Sequence, residues 1–92
     1  VARNTYTSKL ITKCPVNDDY DHYVVVIVSA KKILAEDITA ILLEFKGKEA
    51  YQEDLTEQLA IKFNSYVRLE GDHRGVFIVS EVDPTIQNGG TS

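Results

Sequence analysis

One cysteine, Cys14, in 92 residues rules out an intrachain disulfide, and a reducing compartment would keep it as a thiol. Long apolar runs are missing too. No segment approaches the roughly 20 residues that span a bilayer, and the opening VARNTYTSKL has no basic-then-apolar leader. A soluble, cytoplasmic chain is the expectation. Positive charge is in deficit, with ten Lys and Arg against fourteen Asp and Glu, a net −4. That balance argues against nonspecific binding to a polyanion, which relies on clustered cations releasing counterions. Lys31-Lys32 and the Lys46/Lys48 pair are the local basic spots. Two histidines and one cysteine are too few for a zinc site, so no metal is expected. Neither GKEAYQE nor NGG has the spacing of a phosphate-binding or dinucleotide loop.

What remains is a chain with 43% hydrophobic residues, two prolines and mixed charge, the composition of one globular domain. Residues 1–84 are read as that domain and 85–92, which include QNGGTS, as a flexible tail. So small a body covers its apolar surface poorly when alone, and self-association is expected.

Loose alternation from Thr5 to Lys13 predicts a strand. CPVNDDYD reads as a turn, and the β-branched run Tyr23 to Val28 as a strand covered on both faces. Asp37 is expected to cap a helix that carries Ile38, Ile41, Leu42 and Phe45 on one face and ends at Gly47. A second helix from about Glu53 aligns Leu55, Leu59 and Phe63 and ends at Asn64-Ser65. YVRLEG and GVFIVSEV follow as a hairpin around DHR, with Gly71 and Gly75 flanking the turn. The order ββααββ predicts an α+β domain with two helices on one face of a four-stranded antiparallel sheet. The other face needs a cover, and a second copy of the chain in a ring would supply it while removing exposed strand edges.

A free cysteine in a small domain is most often a buried hydrophobe. Cys14, however, ends a predicted strand and is followed by Pro15, which stops the ladder, and by a polar loop. A thiol so placed faces a cleft and becomes a nucleophile where its neighbours favour the thiolate. Asp18, Asp19 and Asp21 read first as a solvated acidic turn. A calcium loop fails, because counting from Asn17 puts Val28 where the bidentate glutamate belongs. Glu53 and Asp54 suit the positive end of a helix dipole.

In combination, these features resemble the 7-cyano-7-deazaguanine nitrile reductases and their amidine-forming, QueF-like relatives, which are built on the tunnelling fold (T-fold). The resemblance covers residues 5 to 84. Cys14-Pro15 with Asp21 seven residues after the cysteine resembles the Cys-Pro and aspartate of that family. Gln52-Glu53-Asp54 resembles its His-Glu-Asp at the second helix, and His73-Arg74-Gly75-Val76 its Pro-Arg-Gly-Gly turn. The departures are Asn17 to Tyr20 in place of Thr-Gly-Gln-Pro, Gln52 for histidine and His73 for proline. The Glu/Lys-rich segment with which the reductases bind NADPH is matched by AEDITAILLEF, which contains no lysine.

The resemblance implies that Cys14 attacks the nitrile of 7-cyano-7-deazaguanine to give a thioimide, with Asp21 managing the proton. It implies that Glu53, with Gln52, His73 and Arg74, binds the base; a 92-residue chain is small for a closed pocket, so the site is expected where subunits of a ring meet. The missing lysines favour the relatives that need no cofactor and let ammonia or another amine attack the thioimide. The product is then a formamidine on a 7-deazaguanine, the substrate being the free base or a base within tRNA or DNA. The alternatives are the NADPH-dependent nitrile reductase and a non-catalytic purine- or pterin-binding subunit in which Cys14 is incidental.

Overall fold

Apolar side chains at every second position of the strands, and at every third or fourth of the helices, fix the architecture. The computed structural model describes residues 2–17 and 19–84; Asp18 and the expected tail, 85–92, lie outside the described residues. The elements are β1 (Asn4–Lys13), β2 (Tyr20–Ser29), α1 (Ala35–Phe45), α2 (Gln52–Phe63), β3 (Tyr66–His73) and β4 (Val76–Val82). The strands form one sheet in the order β1-β2-β3-β4, each antiparallel to its neighbour.

The strand faces divide as the period of two requires. Leu10, Tyr23, Val25, Ile27, Val67 and Leu69 point to one side and are almost completely buried. Against them lie Ile38, Leu42 and Phe45 of α1 and Leu55, Leu59, Ala60 and Phe63 of α2. Each fully buried Leu, Ile, Val or Phe contributes about 1.5–3 kcal/mol relative to exposure, so this layer is what holds both helices on the sheet. The opposite face is open in the single chain. Val24, Val26 and Val28 are half-buried there, and the row Val24, Glu70, Val79 runs across β2, β3 and β4 to a Val79 that is 40% exposed. Within the single chain β2 is therefore covered on one face, where two were expected.

Three boundaries differ from expectation. Helix α1 begins at Ala35 with Leu34 as its N-cap, so Asp37 stands in the first turn beside Glu36. A carboxylate is stabilised by the helix dipole at either place, which is why the residue type did not separate them. Tyr20 and Asp21 belong to β2, paired with Lys13 and Thr12 of β1. The β3–β4 turn is Arg74-Gly75, with φ of 55° and 90°, while Asp72 and His73 extend β3. Two central residues with positive φ give a hairpin turn whose twist matches that of the strands, and Gly75 meets this demand without a Cβ penalty. At the end of α2, Asn64 takes the left-handed conformation (φ 49°) that asparagine tolerates, and Ser65 N–H donates back to Ala60 O at 3.2 Å.

Candidate functional site

One end of the sheet carries the chemistry-bearing side chains. Pro15 stops the β1 ladder, and the loop it opens is short and internally bonded. Cys14 N–H donates to Asp19 O at 2.9 Å, and Asp19 N–H to Asn17 Oδ1 at 2.8 Å. The segment before α2 runs alongside: Lys13 N–H donates to Lys48 O at 2.9 Å and Ala50 N–H to Lys13 O at 3.3 Å. These bonds bring Tyr51 and Gln52 next to Cys14. On the far side, the register pairs Tyr23 with Gly71, and two residues beyond that pair stand Asp21 on β2 and His73 on β3. Arg74, in the turn, reaches back to Asp19 at 3.2 Å and ties the two hairpin ends together at the rim.

The result is a cleft of about 650 Å³ with Cys14, Asp21, Tyr51, Gln52, His73 and Arg74 in its walls. Cys14 is half-buried. Asp21 is not part of a solvated acidic loop; its side chain is 12% exposed, with Oδ1 3.5 Å from His73 Nδ1 and Oδ2 accepting from the Tyr23 hydroxyl at 3.4 Å. His73 Nε2 is 2.7 Å from Gln52 Oε1. Gln52 Nε2 donates to Leu69 O and to Ile78 O, each at 3.0 Å, so Gln52 also joins β3 to β4. Both its donors are thereby engaged, which leaves none for the direct base contact expected of it. Glu53 is exposed on the first turn of α2 and is not among the residues lining the cleft.

Five of the six residues singled out in the sequence thus border one cavity, and Glu53 does not. Tyr23 escaped sequence reasoning because it opens an apolar strand and reads as core. Burial pushes its phenol well above the usual tyrosine range, and the neighbouring Asp21 carboxylate, with a smaller push from Cys14, adds to that. The sign follows directly. A phenol that holds its proton more tightly when folded contributes stability that is fully present below about pH 10, the ordinary tyrosine value, and is lost as pH rises through the higher folded value. In an ultraviolet titration of the folded protein, Tyr23 is expected to ionise after the exposed tyrosines. Tyr66, also raised by burial and by Glu81, lags the exposed phenols too, so Tyr23→Phe should remove the last of the late steps and not all of them; a wild-type curve unchanged by Tyr23→Phe would contradict the burial of the ring.

No protein-family model matches the sequence, and no curated protein matches it. Among solved structures, the apo crystal structure of the archaeosine synthase QueF-Like is similar to this chain with a TM-score of 0.81 and 16% sequence identity. The superposition covers 88% of this chain and 91% of that one. The likeness is one of fold, over nearly the whole of both chains: the α+β domain that the ββααββ order predicts is present, and it is the tunnelling fold that the resemblance implied.

Proposed function

We propose that this chain is a QueF-like enzyme that acts on the nitrile of 7-cyano-7-deazaguanine through a thioimide on Cys14 and passes it to ammonia, giving a formamidine. One observation carries the reading: Cys14 and Asp21, spaced as in the family's motif, line the same cleft. The archaeosine synthase that shares the fold supports it.

In this reading the thiol adds across the C≡N bond. A C–S bond forms, one carbon–nitrogen π bond breaks, and Asp21 delivers a proton to nitrogen while the thiol proton enters the site. Ammonia then attacks the thioimide carbon, the C–S bond breaks, and the thiol is regenerated. The exposed Glu53 takes part as base anchor only in a pocket completed by a second copy of the chain.

Hydride transfer from NADPH fits the residues poorly. Helix α1 has Glu36, Asp37 and Glu44 and no basic residue with which to meet a phosphate. Lys31 and Lys32 follow the far end of β2, on the order of 30 Å from Asp21 at the rise of an extended strand.

The test is an intact-mass measurement after incubation with 7-cyano-7-deazaguanine, as the free base and within tRNA. Wild-type protein should gain the mass of the base, or of the whole tRNA where the base is within tRNA, and Cys14→Ala should gain neither. Absence of an adduct with both forms would remove the reading in favour of a purine- or pterin-binding subunit. Substrate-dependent loss of NADPH absorbance would replace the amidine product with an amine.

A further inference from the structure

We propose that Gln52 locks the ring of His73 in one tautomer, so that His73 Nδ1 and Asp21 Oδ1 hold a single proton between them at the wall of the cleft. Its catalytic meaning rests on the function proposed above; the lock itself does not.

The argument starts from what each atom can do. Gln52 is 6% exposed and has one NH2 group and one carbonyl oxygen. Its Nε2 lies 3.0 Å from two backbone carbonyl oxygens, Leu69 O and Ile78 O, which only accept. The amide orientation is therefore fixed by its surroundings, and Oε1 is the atom 2.7 Å from His73 Nε2. A carbonyl oxygen only accepts as well, so His73 Nε2 bears a hydrogen.

A neutral ring with hydrogen on Nε2 presents a lone pair at Nδ1, and here that lone pair would face Asp21 Oδ1 at 3.5 Å. Set against an ionised carboxylate it is repulsive. The arrangement is satisfied when one proton occupies the space, either on the ring as imidazolium beside carboxylate or on Asp21 as carboxylic acid beside imidazole. Without Gln52 the ring would move its hydrogen to Nδ1 and donate to the carboxylate, and no extra proton would be needed.

Among the described residues, the charged neighbours of the pair are engaged elsewhere. Tyr23 donates to the other oxygen, Oδ2, and its ring stands 5.7 Å from that of His73. Arg74 is turned to Asp19, Asp72 Oδ1 accepts from Gly75 N–H, and α2 faces the pair with the neutral Gln52. Tyr20, His22, Tyr51 and Cys14 are the other titratable residues in the cleft walls among those described.

For the proposed chemistry the consequence is a stored proton. Asp21 gives it to the nitrile nitrogen as sulfur attacks carbon, and the pair recovers one from the Cys14 thiol. His73 and Gln52 are positioning residues for Asp21.

Ring nitrogen NMR on 15N-histidine protein tests this, with His22→Gln to assign the two histidines. His73 is expected to appear as imidazolium or as the Nε2–H tautomer at every pH, never as Nδ1–H. Gln52→Met should move it to Nδ1–H. An Nδ1–H signal from His73 in the otherwise unaltered site overturns the proposal and needs only the surface variant His22→Gln for assignment; an unmoved Nε2–H tautomer in folded Gln52→Met overturns the role of Gln52. In turnover, His73→Gln should lower kcat about ten- to a hundredfold with KM little changed, the usual scale for losing an orienting partner; a rise in KM alone would make His73 a binding residue. A locked ring in a protein that forms no adduct would retire the enzyme reading and leave the proton pair standing.

Discussion

Asp21→Asn is expected to lower turnover by about 10²–10⁴-fold, the range associated with loss of a positioned acid or base, while changing stability little. The two effects separate because of where the side chain sits. Asparagine has the shape of aspartate; its oxygen can still accept from the Tyr23 hydroxyl, and its NH2 can donate to the lone pair of His73 Nδ1. All polar partners are kept and the movable proton is lost. Steady-state rates and a denaturant midpoint measured on the same preparation check this. Turnover within a few-fold of wild type would exclude Asp21 as the proton donor, and a large fall in the midpoint would mean that its charge serves the fold.

Gly71→Ala should be strongly destabilising, since among the described glycines it is the one whose added Cβ meets other atoms within 4 Å. Gly71 lies on β3 opposite Tyr23, and a Cβ there would stand 2.7 Å from Tyr23 Cδ1, 2.8 Å from Cε1 and 3.3 Å from the His22 carbonyl oxygen. The ring cannot swing clear, since it is 2% exposed, and moving it breaks its contact with Asp21. Overpacking of this kind costs about 1–3 kcal/mol. The measurement is the unfolding midpoint of Gly71→Ala, Tyr23→Leu and the double variant. Coupling of about 0.5–3 kcal/mol, with the double variant less damaged than the sum, is expected; strict additivity would show that the two residues do not collide.

That position also shows where the sequence stopped being readable. Gly71 looked like punctuation beside a turn, since glycine commonly is, and nothing local reveals that an aromatic ring on another strand occupies the space of its missing side chain. The element order was legible because it rests on periodicity: Ile38, Leu42 and Phe45, and Leu55, Leu59 and Phe63, are buried on the faces their spacing defined. Ends were less legible, because the residues there suit several places. Tyr20 and Asp21 are polar enough for a loop and were read as one, although backbone pairing with β1 makes them strand.

The candidate site divides in the same way. Cys14, Asp21, Gln52, His73 and Arg74 were singled out by spacing and resemblance, and all five border the cleft. Their connections were not legible: the Gln52–His73 hydrogen bond spans 21 residues and the Asp19–Arg74 contact 55. Such pairings are set by strand register, which the order of elements leaves open. Glu53 illustrates the converse, since its place in a motif gave no sign that its side chain would lie outside the cleft.

The pairing of β2 with β3 has a bearing on how the chain acquires its chemistry. Each hairpin can zip up locally, β1 with β2 and β3 with β4, whereas Tyr23 and Gly71 must find each other across both helices, a distant closure that is intrinsically slow. Asp21 rides on the first ribbon and His73 on the second. With both ribbons formed but that seam open, Asp21 and His73 stand apart, and the candidate proton pair exists only once β2 and β3 are zipped together.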